Sequence, residues 1–413
     1  MIKPISISLS PNVEKDDFLL ALKTIFKPFK YLKGKSVVEL EKSFSDYLGV
    51  KNTISFNSGR SSLYAILRAL NFEKGSEVVL QAFTCNAASN PAIWAGLKPI
   101  YTNPNEDTFN IDVLDLEKKI TNRTKAVIVQ HTFGLPADLN EIKEICRKHN
   151  LVLIEDCAHS LGAEYEGEKV GTIGDVSFFS FSRDKIISSV YGGMVATKDD
   201  ELAKKIIEFR NGISNPSFCW VLQQLLHPVL LWMILPFYGF FSLGKIKLVI
   251  LQKLGILSKA VHWKEKRGMM PNYFPKRMPN ALAILALNQF KKLEKFNSHR
   301  REIAKRYFEE LKDSSFVLPV IPERRKHSFL RFVVKHPRAH EILKKSWKQN
   351  LLLGDWYTSA IAPFDTKIET VGYTKNSCIK AENLSEITLN LPTHINIQDK
   401  ELNIIIKFLK EFK

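Results

Sequence analysis

Short β-rich apolar runs alternate with helix-period segments through the first half of the chain, and this alternation limits the fold more than any other feature. Between residues 36 and 195 the apolar runs are TISF, SEVVLQAF, KAVIVQH, LVLIED and VSFFSF. They are separated by SSLYAILRAL, ASNPAIWAGL and LNEIKEICRKHN, whose apolar residues recur at helical spacing. This order predicts an α/β domain with a mostly parallel sheet flanked by helices.

The second half of the chain predicts a smaller domain. A long helical pattern begins near Pro279 and reads NALAILALNQFKKLEKFNSHRREIAKRYFEEL. We therefore predict a large domain over residues 1–295 and a smaller C-terminal α+β domain over residues 296–413. A chain of 413 residues that is 45% hydrophobic is large enough to bury a core in each.

Polar residues at the ends of the apolar runs are the candidates for a site, because ligands of parallel sheets bind at the carboxyl ends of the strands. Asp156 ends the run LVLIED, and Lys185 follows Ser180 by five residues. A lysine that loses its proton among cationic or apolar groups forms an imine with an aldehyde, and pyridoxal phosphate is the aldehyde that most often uses this reaction. Asp156 could pair with the protonated ring nitrogen, and His159 could reach the ring.

A phosphate site is predicted where the run TISF meets the helix SSLYAILRAL. Ser58 and Gly59 lie at this junction, so the backbone N–H groups of the first helical turn face a bound anion, with Ser61 beside them and the Ser180 hydroxyl as a further donor. Each of these residue types alone is also typical of a helix cap or a solvated surface. Their order and spacing together predict a pyridoxal phosphate site.

Longer stretches carry a family resemblance that spans residues 40–409 apart from the apolar insertion described below. They are SGRSSLYAILRAL, EVVLQAFTCNAASNPAIWAGLKPIYTNPNEDTFNID, VQHTFGLPADLNEI, LIEDCAHSLGAEYEGEKVGTIGDVSFFSFSRDK and YGGMVAT. In these the chain resembles the DegT/DnrJ/EryC1/StrS family of pyridoxal-phosphate-dependent sugar aminotransferases. The resemblance implies a fold-type I aminotransferase that forms a homodimer, with the active site at the subunit interface.

The resemblance also assigns roles to residues. Lys185 would form the Schiff base and shuttle the proton, Asp156 would pair with the pyridinium, and His159 would lie against the ring. The phosphate would be held by Ser58, Gly59, Arg60, Ser61 and Ser180. A lysine at position 185 speaks against the dehydratase branch of the family, in which a histidine stands there.

Three positions depart from the family pattern. Arg60 stands where threonine is common, and Cys85 replaces an aromatic residue that often packs on the cofactor ring. Pro275 stands where many members carry an asparagine that reaches the phosphate of the partner subunit, and Lys276 or Arg277 could substitute for that contact.

The implied reaction is transfer of an amino group, usually from glutamate, to a keto sugar linked to a nucleotide, for polysaccharide or glycolipid synthesis. Two alternatives stay open at this point. One is an aminotransferase that acts on a lipid-linked sugar, and the other is a catalytically silent scaffold or regulator of the same fold at the membrane.

An apolar insertion occupies about residues 215–262. Residues 211–244 contain no Asp, Glu, Lys or Arg, and lysines then follow in quick succession. The stretch exceeds the ~20 residues of a membrane-crossing helix, but Pro216, Pro228 and Pro236 are expected to interrupt it. It is either a hairpin lying on a membrane surface or a segment buried in a dimer interface or under a domain. Under the first interpretation, deletion of residues 218–243 should leave a soluble protein.

Charge and cysteine content exclude several classes of protein. The net charge of +17 favours an anionic partner, but the lysines are not interleaved with aromatics as in nucleic-acid modules, so we expect no nucleic acid. Five cysteines without paired short spacing predict neither a disulfide framework nor a metal site. The polar and acidic N-terminus does not resemble a secretory signal. We expect a cytoplasmic protein, peripheral on the inner face of the cell membrane if the insertion is a surface hairpin.

Overall fold

The structure, a computed structural model, describes residues 3–412. Its strands are β1 Ile5–Ser6, β2 Asn52–Phe56, β3 Glu77–Gln81, β4 Thr84–Cys85, β5 Lys98–Thr102, β6 Thr124–Gln130, β7 Val152–Asp156, β8 Glu164–Tyr165, β9 Glu168–Lys169, β10 Val176–Ser180, β11 Gly193–Thr197, β12 Arg325–Lys326, β13 Phe332–Lys335, β14 Leu351–Leu352, β15 Ile361–Ala362 and β16 Thr388–Leu391. Its α-helices are α1 Lys15–Ile25, α2 Ser36–Leu48, α3 Gly59–Leu70, α4 Asn86–Trp94, α5 Val113–Lys119, α6 Leu139–Lys148, α7 Asp200–Gly212, α8 Phe218–Ile234, α9 Leu243–Lys253, α10 Asn280–Phe290, α11 Leu293–Leu311, α12 Ala339–Lys348, α13 Ile379–Ile387 and α14 Asp399–Leu409.

The large domain is built on a seven-stranded sheet in the order β2-β11-β10-β7-β6-β3-β5. All neighbouring pairs are parallel except those of β11, which runs antiparallel to both β10 and β2. The prediction of a mostly parallel sheet flanked by helices is confirmed, and each of the five apolar runs overlaps a strand. Strand β5, KPIYT, was not among those runs because it lies at the sheet edge and carries an exposed lysine and a proline.

Both faces of this sheet are covered. Along the central strands, Val79, Val127 and Leu153 belong to the core on one face, whereas Val78 and Ile128 belong to the core on the other. Successive side chains of a strand point to opposite faces, so near-continuous apolar runs are what a sheet buried on both sides requires. The helices on the two faces hold the carboxyl ends of the strands at one open edge.

The smaller domain contains the antiparallel pair β13–β16, with helices α11, α12 and α14 packed around it. The long pattern that begins near Pro279 folds as two helices, α10 and α11, separated at residues 291–292. Strand β1 pairs with β14, and Ile5 joins the core of the smaller domain, so the first residues lie apart from the large domain in which we placed them. Pairing of β12 with β8 and of β15 with β4 ties the two domains together.

The insertion folds as helix α8, two short turns and helix α9, which we call the apolar hairpin (residues 218–253). Residues 254–262, which lead back to the large domain, are called the return arm. Helix α8 packs against α1, where the rings of Phe18 and Trp232 stack with centroids 5.5 Å apart. Residues Phe218–Phe237 are long and apolar enough to cross a bilayer, and 44% of that window is buried within the protein.

One expectation about the insertion is wrong. Helix α8 continues through Pro228 instead of ending there, because its flank is held by burial in the large-domain core. That flank includes Val221, Leu225 and Val229, and each such side chain contributes about 1.5–3 kcal/mol when buried. Deletion of residues 218–243 would therefore open the core of the large domain, so the segment is not a separable appendage.

Candidate active site

One cavity of about 200 Å³ lies at the carboxyl edge of the sheet, between the large and the smaller domain. It brings together seven of the predicted site residues, namely Gly59, Arg60, Cys85, Asp156, His159, Ser180 and Lys185. They come from five separate loops or strand ends, which the parallel strands place side by side.

The backbone of the Lys185 segment is hydrogen-bonded to residues distant in sequence. The Asn12 side-chain amide donates to the carbonyl oxygens of Lys185, at 2.5 Å, and of Ile186, at 3.0 Å. Arg300 donates in turn to Asn12 Oδ1 at 2.7 Å, and both residues are buried. Sequence reasoning missed Asn12 and Arg300, since neither lies in a motif and more than 100 residues separate each from Lys185.

The surroundings of Lys185 favour a neutral amine. Burial lowers the pKa of Lys185 below its usual 10.5, and the positive charge of Arg331 acts in the same direction. The carboxylates of Asp184 and Asp156 oppose this shift. Arg331 is itself buried and donates to Asp184 at 3.3 Å, so the charge next to the amine is fixed in place. A lysine with a lowered pKa is a better nucleophile and base at neutral pH.

Asp156 lies at the end of β7 with its carboxylate inside the protein. Burial raises the pKa of Asp156 from 3.8 to about 6, while the N–H of Ala158, which donates at 2.9 Å, and the charge of Lys185 act against that rise. When a buried carboxylate accepts few hydrogen bonds, a positively charged partner strongly stabilises its ionised form. This is the environment that a pyridinium nitrogen would complete.

His159 lies beside two aromatic rings. Its imidazole stacks on Phe133 at 6.1 Å and on Trp356 at 5.2 Å between centroids. The Phe133 N–H donates to His159 Nδ1 at 3.2 Å, so Nε2 carries the hydrogen of the neutral ring. Burial, together with the charge of Lys185, lowers the pKa of His159 well below 6.5, which keeps the ring neutral.

Trp356 lines the cavity and was not among the predicted site residues. Lys185 Nζ lies 4.5 Å from its ring centre, and the guanidinium of Arg331 lies 3.3 Å from it. The indole therefore joins the smaller domain to His159 and Lys185. Trp356 lies in the stretch GDWYTSAIAPF, and only the folded chain shows which of its side chains meets the lysine.

The predicted phosphate cradle is present at the start of α3, but two of its serines have another task. Ser58 caps the helix by accepting from the Ser61 N–H at 3.0 Å, and the Ser61 hydroxyl donates to Asn57 at 2.7 Å. Both serine side chains are buried outside the cavity, because the first helical turn must satisfy its own donors. Gly59 and Ser180 line the cavity, and a Cβ on Gly59 would lie 2.9 Å from the Ser180 Cβ.

The structure shows what the side chains contact at the three positions that depart from the family pattern. The Arg60 guanidinium forms a buried ion pair with Glu265 and lies over the Phe274 ring, so it is not a free phosphate ligand. Cys85 lines the cavity, and its Sγ accepts from the Ala87 N–H at the start of α4. Next to Pro275, Lys276 donates to Ser214 and Arg277 to the Arg210 carbonyl, so both proposed substitutes are bound within the same chain.

Comparison with known proteins decides the family. A model of the DegT/DnrJ/EryC1/StrS aminotransferase family matches residues 12–220 and 245–410. The chain belongs to this family. The segment that the family model leaves out, residues 221–244, falls within the apolar hairpin and includes most of helix α8.

Individual relatives of this DegT/DnrJ/EryC1/StrS protein are sugar aminotransferases. The GDP-perosamine synthase of Caulobacter vibrioides is 41% identical over 45% of this chain and 50% of that protein. The dTDP-3-amino-3,6-dideoxy-alpha-D-galactopyranose transaminase of Aneurinibacillus thermoaerophilus is 30% identical over 76% of this chain and 74% of that protein. The solved structure of the aminotransferase PseC of Helicobacter pylori shares the fold, with a TM-score of 0.76 and 24% identity over 99% of this chain and 100% of that one.

This family member is a sugar aminotransferase that uses pyridoxal 5'-phosphate. The residues fit the cofactor, because the Lys185 amine, the buried Asp156 carboxylate and the start of α3 meet in one cavity, and Gly59 leaves space beside Ser180. When bound, the cofactor supplies an aldehyde that links to amines and a ring that withdraws electrons. Asp156 would keep the ring nitrogen protonated, and Lys185 would take up and return the proton that moves during amino transfer. The neutral His159, held by Phe133 and Trp356, would cover the ring.

Proposed function

We propose that this enzyme transfers the amino group of glutamate to a keto sugar linked to a nucleotide, for polysaccharide or glycolipid synthesis, while its apolar hairpin lies on the cytoplasmic face of a membrane. The first part of the proposal is supported by the cavity that joins Lys185 and Asp156 within a fold matched by the family along most of the chain. The relatives named for GDP- and dTDP-linked sugars support a nucleotide as the handle.

An assay with purified protein tests the reaction. The protein would be incubated with pyridoxal phosphate, glutamate and a panel of GDP-, dTDP- and UDP-linked keto sugars, and 2-oxoglutarate and amino sugar would be measured by mass spectrometry. We expect stoichiometric formation of both products with one nucleotide class. Product formation only from a polyprenyl-linked keto sugar would favour a lipid-linked substrate. A protein that neither takes up the cofactor nor forms either product would be the silent scaffold.

The membrane part of the proposal depends on the outer face of the hairpin. Eleven large apolar side chains between residues 232 and 256 are exposed, with Phe241 at 83%: Trp232, Met233, Phe237, Phe240, Phe241, Leu243, Ile246, Val249, Ile250, Leu254 and Ile256. Exposed apolar surface of this extent is unusual for a soluble monomer and marks an interaction site.

The arrangement of helix α9 favours a lipid surface over another protein. With about 100° between successive residues of a helix, Leu243, Ile246 and Ile250 fall on one exposed face, and Leu248 on the opposite, buried face. The exposed Lys245 and Lys247 fall on the two flanks of the apolar face. This is the pattern of a helix that lies in the interface with its lysines toward headgroups.

Charge around the hairpin points to anionic lipids. No Asp or Glu occurs between Glu208 and Glu265, whereas Lys245, Lys247, Lys253 and Lys259 lie within that interval. Each lysine near an anionic membrane surface contributes about 1 kcal/mol to binding. The cytoplasmic position proposed here follows from these anionic lipids, which are concentrated in the cytoplasmic leaflet.

Vesicle binding tests this surface. Wild-type protein should co-sediment with vesicles that contain phosphatidylserine, and the double change Lys245→Gln and Lys247→Gln should weaken binding by about 30-fold at ~1 kcal/mol per lysine. Phe241→Asp should also release the protein, since it places a charge in the apolar boundary region. Phe29→Asp is the matched control, because Phe29 is equally solvent-exposed but lies outside the hairpin. Equal binding by all variants would disprove a role for the hairpin.

A homodimer, implied by the family resemblance, is part of the same proposal. Phe364 lines the cavity and is nonetheless 78% exposed, which leaves an apolar rim that a second copy could cover. Sedimentation velocity in detergent-free buffer would show a species of twice the 47.3 kDa chain mass. A monomer at assay concentrations would contradict this part.

A further inference from the structure

The return arm of the apolar hairpin reaches the active-site cavity. After the buried Leu257, which packs with the hairpin core, the arm passes Ser258 and Lys259 and then places Ala260 and Val261 in the cavity wall. The hairpin and the Lys185 cavity are therefore joined by a segment of only a few residues. An insertion that served only to bind a membrane surface would not need to form part of the cavity wall.

Arg183, two residues before Lys185, forms hydrogen bonds to this arm. Its guanidinium donates to the Ser258 carbonyl at 2.7 Å, to the Ser258 hydroxyl at 3.0 Å and to the Lys259 carbonyl at 3.4 Å. It also lies over the ring of Tyr191, 5.6 Å from the centroid, and the Tyr191 hydroxyl donates to the same Lys259 carbonyl at 2.9 Å. Both ends of the segment that carries Lys185 are thus bonded to the return arm.

The contact continues into the hairpin itself. The Ser258 hydroxyl donates to the side-chain oxygen of Gln224 at 2.7 Å, and Gln224 is fully buried on helix α8. A buried polar chain from Gln224 through Ser258 to Arg183 costs desolvation unless every group is paired, so it fixes one relative position of its members. Among the described residues no carboxylate lies within ion-pair distance of Arg183, so the guanidinium is oriented by the return arm rather than by a salt bridge.

We propose that Arg183 is a positioning residue for Lys185. In this proposal the return arm of the hairpin is part of the active site, because it accepts the hydrogen bonds that hold Arg183 in place. Arg183 holds the segment before the lysine against the arm, while Asn12 holds the backbone of the lysine from the other side. Without the guanidinium, the Ser258 carbonyl and hydroxyl lose their donors and the lysine segment is free to shift. A displacement of about 1 Å at a catalytic group can lower the rate by about 10²-fold. The inference rests on the aminotransferase reaction and is independent of membrane docking.

The test compares Arg183→Ala and Arg183→Lys with Arg147→Ala, an exposed arginine on helix α6. We expect Arg183→Ala to lower kcat about 100-fold with the KM for the sugar within about threefold of wild type. Arg183→Lys should recover only part of this loss, because a lysine cannot bond two oxygens with one planar fork. In the cofactor-free protein, amide hydrogen exchange should rise together in residues 181–191 and 254–262, and vesicle binding should not change.

Other outcomes would overturn the inference. A kcat within threefold of wild type for Arg183→Ala, or faster exchange spread evenly over the chain, would assign Arg183 a structural role only. If that variant does not fold, Ser258→Ala and Gln224→Leu remove single members of the chain of hydrogen bonds, and each should lower kcat about tenfold with raised exchange in residues 181–191. Unchanged kcat in both would refute the proposal. The vesicle-binding result for Lys245→Gln and Lys247→Gln has no bearing on these measurements. The membrane proposal and the Arg183 proposal can therefore be refuted independently.

Discussion

Replacement of Lys185 with alanine is expected to lower turnover by about 10²- to 10⁴-fold, the range typical of a positioned acid–base group. The same amine links to the cofactor and moves the proton, so no neighbour can take over both tasks. His159, which lines the cavity, has no primary amine to link to the aldehyde, and Arg331, which is bonded to Asp184, has no acidic proton at neutral pH. The loss should therefore appear in kcat for any sugar substrate.

The measurement is the initial rate of 2-oxoglutarate formation, with cofactor content determined by equilibrium dialysis. The variant should still bind pyridoxal phosphate noncovalently, since Asp156 and the start of α3 are unchanged. Lys198→Ala is the control, because Lys198 follows the next strand of the sheet and is exposed. Full activity in the Lys185 variant would remove this residue from the mechanism.

Asp156→Asn is expected to weaken cofactor binding by about 10²- to 5 × 10³-fold. Removal of one partner of a buried charge pair costs about 3–5 kcal/mol, because the other charge is left without compensation. The asparagine has nearly the same shape, and its side-chain oxygen can still accept from the Ala158 N–H. The effect should therefore reflect the missing charge, and circular dichroism of the variant should match that of the wild type.

The same carboxylate predicts how binding depends on pH. In the cofactor-free protein the pKa of Asp156 is raised to about 6, so below pH 6 the group is protonated and must release its proton to pair with a pyridinium. The dissociation constant of the wild type should then rise toward tenfold per pH unit below about 6. Between pH 4 and 6 the folded, cofactor-free chain holds this proton and the unfolded chain does not, so the group lowers folding stability as pH rises.

Fluorescence titration with pyridoxal phosphate between pH 5 and 8 would measure this dependence. Asp156→Asn has no carboxyl proton, so its weaker binding should lack the Asp156 contribution to the pH slope. Parallel slopes for the two proteins below pH 6 would contradict the assignment of that titration to Asp156.

Much of the site could be predicted from the sequence because its chemistry follows strand ends. Asp156, Ser180 and Gly59 each follow or end one of the strands β7, β10 and β2. These strands run in the same direction, so such positions meet at one edge of the sheet. Lys185 follows from its position after Ser180 and from the family resemblance. Ser58 and Ser61 were assigned to the phosphate by the same reasoning, but the first turn of α3 uses their hydroxyls for its own cap and for Asn57.

The residues that support the site could not be predicted in this way. Asn12, Arg331 and Trp356 come from segments far along the chain and carry no local pattern that distinguishes them from other polar or aromatic residues. Their roles depend on how the smaller domain closes over the sheet. Arg60 was placed at the phosphate by the family resemblance, whereas in the fold it is paired with Glu265, 205 residues away.

Local pattern by itself predicted the sheet and the polar residues at the ends of its strands, because periodicity and strand-end position are properties of neighbouring residues. The roles of Lys185 and Asp156 were predicted from these positions together with the family resemblance. Only the tertiary structure shows how the apolar insertion packs. Composition shows that residues 211–244 avoid charge, but burial of one flank of α8 and the bonds from Arg183 to Ser258 arise only when distant segments meet. Hydrogen bonds and packing between such segments are set by the whole fold, and no stretch of sequence contains them.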